Sequence, residues 1–460
     1  MNSAYPNKTH NRIILGIAAL LGSGALCAAH GAEPAATAVN TGDNAWVLAS
    51  SALVLMMTAP GLILFYGGLV RRKNVLGTMM HSLILMGVVS VLWALFGYSM
   101  AFGKGNGFCG QPGQHFLLQG VGAAPNAEYS KTIPEQSFML FQMMFAIITP
   151  ALISGGLAER MKFGSYLFFT GLWATLVYFP LAHMVWGQGG LFNWASSGCR
   201  VPVLDFAGGT VVHISSGISA LVCALVLGKR LGYPQEPMPP HNVVLSLVGA
   251  GLLWVGWFGF NAGSALCADA HASSAFAATH FSASAAALSW ALCEWLTKGK
   301  PSVLGAASGM VAGLATITPA SGFVSVPSAL LIGLAAGAAC YFAVTRLKAR
   351  LGYDDSLDVF GVHCVGSTLG MLMLGFLASP DVNDALRATC VIDGKTVALA
   401  GGAAQFFNQL KGVLFTLAFA GLGTYVILMV VKALAGLRVP EEDETAGLDL
   451  SEHGESAYND

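Results

Sequence analysis

LDFAGGTVVHISSG, residues 204–217, sets Asp205 and His213 into a stretch that is otherwise apolar. LDVFGVHCVGS, residues 357–367, repeats the order Asp, Gly, His with Asp358 and His363. Ionisable groups at bilayer depth are costly, so they line a path or a site rather than face lipid. The same pair in two stretches points to two repeated halves that each bring one histidine to a shared site. Such an arrangement belongs to a transporter or a channel.

Composition agrees. The chain is 55% hydrophobic and 10% charged, with a mean hydropathy of +0.65, whereas soluble domains carry about 25% charged residues. Its 57 glycines suit the close backbone approach of membrane helices. A net charge of -1 leaves no basic face to neutralise phosphates, which argues against nucleic acid. HExxH, GxSxG and CxxC are absent, so the expected function is not enzymatic and needs no metal or cofactor. Gly105 to Gly110 matches GxGxxG, but without a preceding strand or a following helix it is no nucleotide site.

Lys8 and Arg12 precede an apolar run from Ile13 to Leu26 and an A-x-A pattern at Ala36 to Ala38. This order reads as a secretory signal peptide with linker over residues 1–38, its cleavage point open. Eleven apolar runs follow, at about 45–70, 76–102, 137–158, 164–186, 205–228, 243–263, 272–297, 302–318, 326–346, 357–378 and 404–432. Basic clusters fall on alternate connections: Arg71 to Lys73, Arg160 with Lys162, Lys229 with Arg230, Lys298 with Lys300, Arg346 to Arg350, and Lys432 with Arg438. By the positive-inside rule these are cytoplasmic, which places the N-terminus outside and the C-terminus inside.

The expected fold is therefore an all-α integral membrane protein of eleven transmembrane helices. Runs one to five and six to ten form a 5+5 inverted repeat, and a final helix follows, with the site near the midplane. Read as continuous helix from Asp205, His213 lies roughly 12 Å from the outer end; His363 lies roughly 7.5 Å above Asp358 at the inner end. Each aspartate is read as opening its helix, either as an N-cap or as a group that attracts cations.

With these motifs stand PGLILFYGGLVRRKN (60–74), AERMKF (158–163), AHMVWG (182–187), GWFGFNAGS (256–264) and GKPSVLGAASG (299–309). Together they resemble the Amt/Mep/Rh ammonium transporters, on the bacterial Amt branch, from Asn44 to the C-terminus. The resemblance implies a homotrimer in the bacterial inner membrane, with a pore through each protomer. It implies an ammonium recruitment site of Phe141, Trp186 and Ser264, where two aromatic faces and a hydroxyl suit a small cation. It implies a gate of two stacked rings, Phe141 and Phe260, above His213 and His363. Trp257 is either pore lining or packing.

A bare cation loses its hydration in an apolar pore. Ammonium can shed a proton and cross as NH3, with the proton relayed separately through the paired imidazoles; the net species is left open. An Rh-like neutral gas channel and an ammonium sensor are the alternatives. The transmembrane domain is expected over 44–435, and the acidic segment 436–460 resembles the ordered regulatory tail that packs between protomers and receives a PII-type signal protein. Cys109, Cys199 and Cys390 lie in outer loops, where a disulfide is permitted and its pairing is open.

Overall fold

The computed structural model describes residues 38–196, 198–392 and 395–458; the expected signal peptide lies outside them. Among the described residues, nine helices are long and apolar enough to cross a membrane. They are α1 (Thr41–Leu69), α2 (Arg72–Phe102), α3 (Glu135–Leu157), α4 (Phe163–Trp186), α5 (Gly209–Leu227), α6 (Val243–Ala265), α9 (Val326–Leu351), α10 (Phe360–Leu377) and α11 (Ala403–Ala435). Between α6 and α9 lie α7 (Ala270–Lys298), long but rich in Ala and Ser, and α8 (Val303–Ile317), which is short. Among the described residues the named strands form a hairpin, β1 (Thr389–Ile392) paired antiparallel with β2 (Lys395–Ala398), which joins α10 to α11.

Helix starts follow capping chemistry. Asn40 accepts from the Gly42 and Asp43 amides, Asn242 from Leu245 and Ser302 from Gly305. Each satisfies donors that the first turn leaves without partners. Helices then pack through small residues. A Cβ on Gly313 would stand 2.7 Å from the Ser282 carbonyl oxygen, and on Gly333 2.3 Å from it, while on Gly337 it would stand 2.4 Å from that of Ala286. Only glycine lets α8 and α9 lie this close to α7, where van der Waals contact replaces the missing hydrophobic drive.

The loops that carry the basic clusters are cross-linked by charge. Arg71 and Arg230 hold Glu159 at 2.8 and 3.0 Å, and Arg230 holds Asp354 at 2.8 Å. Burial pushes the Glu159 carboxyl up, but the two guanidiniums outweigh it and hold it below the ordinary range. The acidic tail docks on the same end. It forms α12 (Glu441–Ala446) and α13 (Leu448–His453). Glu444 accepts from the Leu231 amide at 2.7 Å, Asp449 from Gly77 at 2.8 Å, and Glu452 from Phe163 at 2.8 Å.

Candidate functional site: a twin-histidine lumen

His213 and His363 each sit in a wide π-helical turn that opens its helix, Gly209–Ile214 in α5 and Phe360–Cys364 in α10. Such turns are rare and concentrate at functional sites. The helices cross at Gly217, where a Cβ would meet the Cys364 backbone nitrogen at 2.5 Å. This contact brings the imidazoles together. Their Nδ1 atoms are 3.2 Å apart, and the rings are nearly parallel with centroids at 5.2 Å. At this distance one Nδ1–H donates to the other's lone pair. Both rings are buried, and Nε2 of His213 has no hydrogen-bond partner among the described residues.

Aromatic rings wall the pair. Trp257 and Phe260 stand 5.4 and 5.9 Å from His213, and the Trp257 indole donates to Thr318 Oγ1 at 2.9 Å. Trp257 thus both lines the lumen and packs. The cavity enclosed by His213, His363, Trp257, Phe260, Tyr66 and Val311 holds about 10 Å³, close to the room a single water needs. Past His363 it meets a wider cavity of about 200 Å³ bordered by Tyr66, Ser308, Trp290 and Asp358.

On the other side of Phe260 the structure departs from the expected pair of Phe141 and Phe260. The ring packed against Phe260 is Phe145, with centroids at 4.2 Å and planes tilted by 37°, and Phe141 contacts Phe145 at 5.0 Å rather than Phe260. Residues four apart lie on one helix face, so Phe145 stands a turn deeper than Phe141. The FxxxF spacing in FQMMF carried that signal. Trp186 closes on Phe145 at 6.1 Å and donates its indole N–H to the Asp205 carbonyl at 3.0 Å. Ser264 is half-buried and donates to the Phe260 carbonyl at 2.8 Å. It follows Gly263, against which Phe141 packs.

The aspartates part company. Asp205 accepts from the amides of Gly208, Gly209 and Thr210 at 2.7 to 2.8 Å and from the Thr210 hydroxyl. With about four acceptor sites occupied, it is a cap. Residues 205–208 form a turn through Gly208 at φ +111°, so His213 lies in the first turn of α5 and the helical rise counted from Asp205 does not apply. Asp358 is no cap. It adopts φ +60° and pairs with Lys348 at 2.7 Å, while Asp355 accepts from the Phe360 amide at 2.7 Å and caps α10. Burial pushes the Asp355 carboxyl up to about 6, with Lys348 opposing and Asp358 adding to the shift.

A helical membrane bundle around a narrow lumen of aromatic rings and paired imidazoles has the build of a small-molecule transporter or channel. The sequence profile described as Ammonium Transporter Family matches residues 45–458, and the chain belongs to that family. An ammonium transporter of Mycobacterium tuberculosis is 47% identical over 436 residues, 91% of this chain and 90% of that protein. The crystal structure of Candida albicans Mep2 superposes with a TM-score of 0.79 at 34% identity, over 91% of this chain and 90% of the other. A structure titled Sensor Amt Protein gives 0.79 at 26% identity, over 90% and 98%.

Proposed function

We propose that this protein draws NH4+ to an outer site of Phe141, Trp186 and Ser264, removes a proton, and conducts NH3 past His213 and His363 into the cytoplasm. The proton is relayed separately through the imidazoles. The observation that carries the proposal is the hydrogen-bonded histidine pair in a lumen with room for about one small molecule. Such a lumen excludes a hydrated ion, and a bare K+ has no proton to shed and so keeps its full desolvation cost. Phe145 and Phe260 form the gate above the pair. Asp205 acts by shaping the turn that aims Trp186 and His213.

The reading includes α7 and α8 as crossings, which makes eleven and a 5+5 inverted repeat plus a final helix. The matching wide turns of α5 and α10 support it. It further includes a homotrimer in a bacterial inner membrane, N-terminus outside and C-terminus cytoplasmic. His280, ten residues into α7 and exposed on the surface of the single chain, supports a covering copy, because an ionisable group at bilayer depth needs one. The docked part of the tail, residues 436–458, is the surface offered to a PII-type protein. The likeness to a sensor favours one second reading, in which occupancy of the same lumen is signalled through that tail.

Current recorded from purified protein on a supported membrane after an ammonium pulse tests the proposal. Transient inward current is expected with ammonium and none with K+. The double variant His213→Ala with His363→Ala, shown to be folded, is expected to lose it. Wild-type current in that variant, with K+ still excluded, would overturn the relay.

A further inference from the structure

We propose that Cys199 and Cys390 form a disulfide that fastens the loop between Trp186 and Asp205 to the β1–β2 hairpin. The loop runs from the end of α4 to the start of α5, and it folds on itself. Ser196 donates its amide to Asn193, Cys199 to Ser196 and Arg200 to Leu191, at 2.9 to 3.1 Å. Cys390 reaches this loop from the hairpin. Its Sγ donates to the Trp194 carbonyl at 2.9 Å, and Trp194 and Cys390 pack on one apolar cluster with Phe323 and Leu386. Burial, and after it the charge that Cys390 would carry as a thiolate, pushes the Cys199 thiol up to about 12.

The other cysteines at this end of the bundle are placed elsewhere. Cys109 Sγ lies 3.7 Å from the Met100 carbonyl, and Cys267 Sγ lies 3.1 Å from that of Ala265. Cys223, Cys293, Cys340 and Cys364 are on helices or their opening turns. Among the cysteines of the described residues, one neighbour therefore remains for Cys390.

The proposal rests on the outer placement of these loops, since disulfides persist in oxidising compartments. The co-reactant is the disulfide of an exported thiol oxidant. A thiolate, from the more exposed Cys390, attacks one of its sulfurs to give a mixed disulfide. That attack releases the oxidant's other sulfur as a thiolate; the Cys199 thiolate then attacks Cys390 Sγ and displaces the oxidant sulfur bonded to it, so two electrons and two protons pass from the cysteines to the oxidant, which leaves as a dithiol. The bridge lies along the loop that supplies the backbone carbonyl holding Trp186.

The test alkylates thiols in intact cells expressing the full chain, then denatures and digests the protein for peptide mass measurement. The expected product is a Cys199 peptide joined to a Cys390 peptide, about 2 Da lighter than the two free thiol peptides, which separate on reduction. Cys199→Ser should free Cys390 for alkylation, and Cys390→Ser should free Cys199; reduction should lower the melting temperature of the parent protein by several degrees. Both cysteines alkylated before reduction in most molecules, or Cys390 joined to Cys109 or Cys267, overturns the pairing. A membrane-impermeant maleimide added after reduction separates this outcome from an error of orientation. Labelling of Cys390 from outside the cell supports the placement, and labelling only from the cytoplasmic side overturns placement and proposal together.

Discussion

Two imidazoles whose Nδ1 atoms are 3.2 Å apart fix each other's tautomer, because only one can hold the shared proton. The remaining Nε2 of His213 has no partner among the described residues, which in the proposed function leaves it to a small guest. Above the pair, Trp186 has its indole N–H engaged by Asp205, which leaves its face for a cation. Trp186→Leu removes one aromatic wall worth ~0.5–2 kcal/mol. Half-saturation for ammonium should rise roughly 2- to 30-fold in current recordings, with the melting temperature unchanged. Unchanged half-saturation would return Trp186 to an interfacial anchor. Ring stacking was not legible from motif order alone. FQMMF offered two phenylalanines, and only the rotation of α3 placed Phe145 against Phe260.

The two helices that open with histidine turns depend on a contact smaller than a side chain. A Cβ on Gly217 would meet the Cys364 backbone nitrogen at 2.5 Å, and backbone cannot move aside as a flexible side chain can. Gly217→Val should cost about 1–3 kcal/mol by overpacking and part the imidazoles. The expected result is a lower melting temperature together with loss of ammonium current, and full current would show that the crossing has slack.

At the foot of α10, Asp355 gives the element a pH dependence. Its carboxyl is buried and titrates near 6, above the ordinary value, so folding favours the protonated form. The stabilisation is complete below the unfolded value near 4 and is lost as pH rises through 6, a difference of about 3 kcal/mol at 1.36 kcal/mol per pH unit. Melting temperature measured from pH 4 to 7 should fall with rising pH in the parent protein. Asp355→Asn keeps an oxygen for the Phe360 amide and should flatten that slope.

For the whole molecule, the acidic tail and the basic loops lie on one end, joined through Glu444, Asp449 and Glu452. In the proposed orientation the alternating basic clusters place that end in the cytoplasm. Single cysteines replacing Lys73, Lys162, Lys229 and Lys300 in a cysteine-free background should react with an impermeant maleimide only after the membrane is opened. Labelling of any of them in intact cells would overturn the proposed orientation and, with it, the proposed inverted repeat.

The sequence by itself determined the membrane class, the positions of the long helices and the two histidines. Hydropathy and charge are local properties, and ionisable groups in apolar runs stand out against them. Sequence order also carried the family, through motifs whose spacing survives along the chain. Tertiary structure decided the rest. Asp355 rather than Asp358 caps α10, since Lys348 draws the Asp358 carboxylate away. Phe145 rather than Phe141 packs against Phe260. Cys390 finds the loop of Cys199, and the hairpin that carries it falls below any periodicity signal. Each of these turns on which of several chemically similar residues a neighbouring element reaches, and that is set by helix rotation and crossing, which one-dimensional order leaves free.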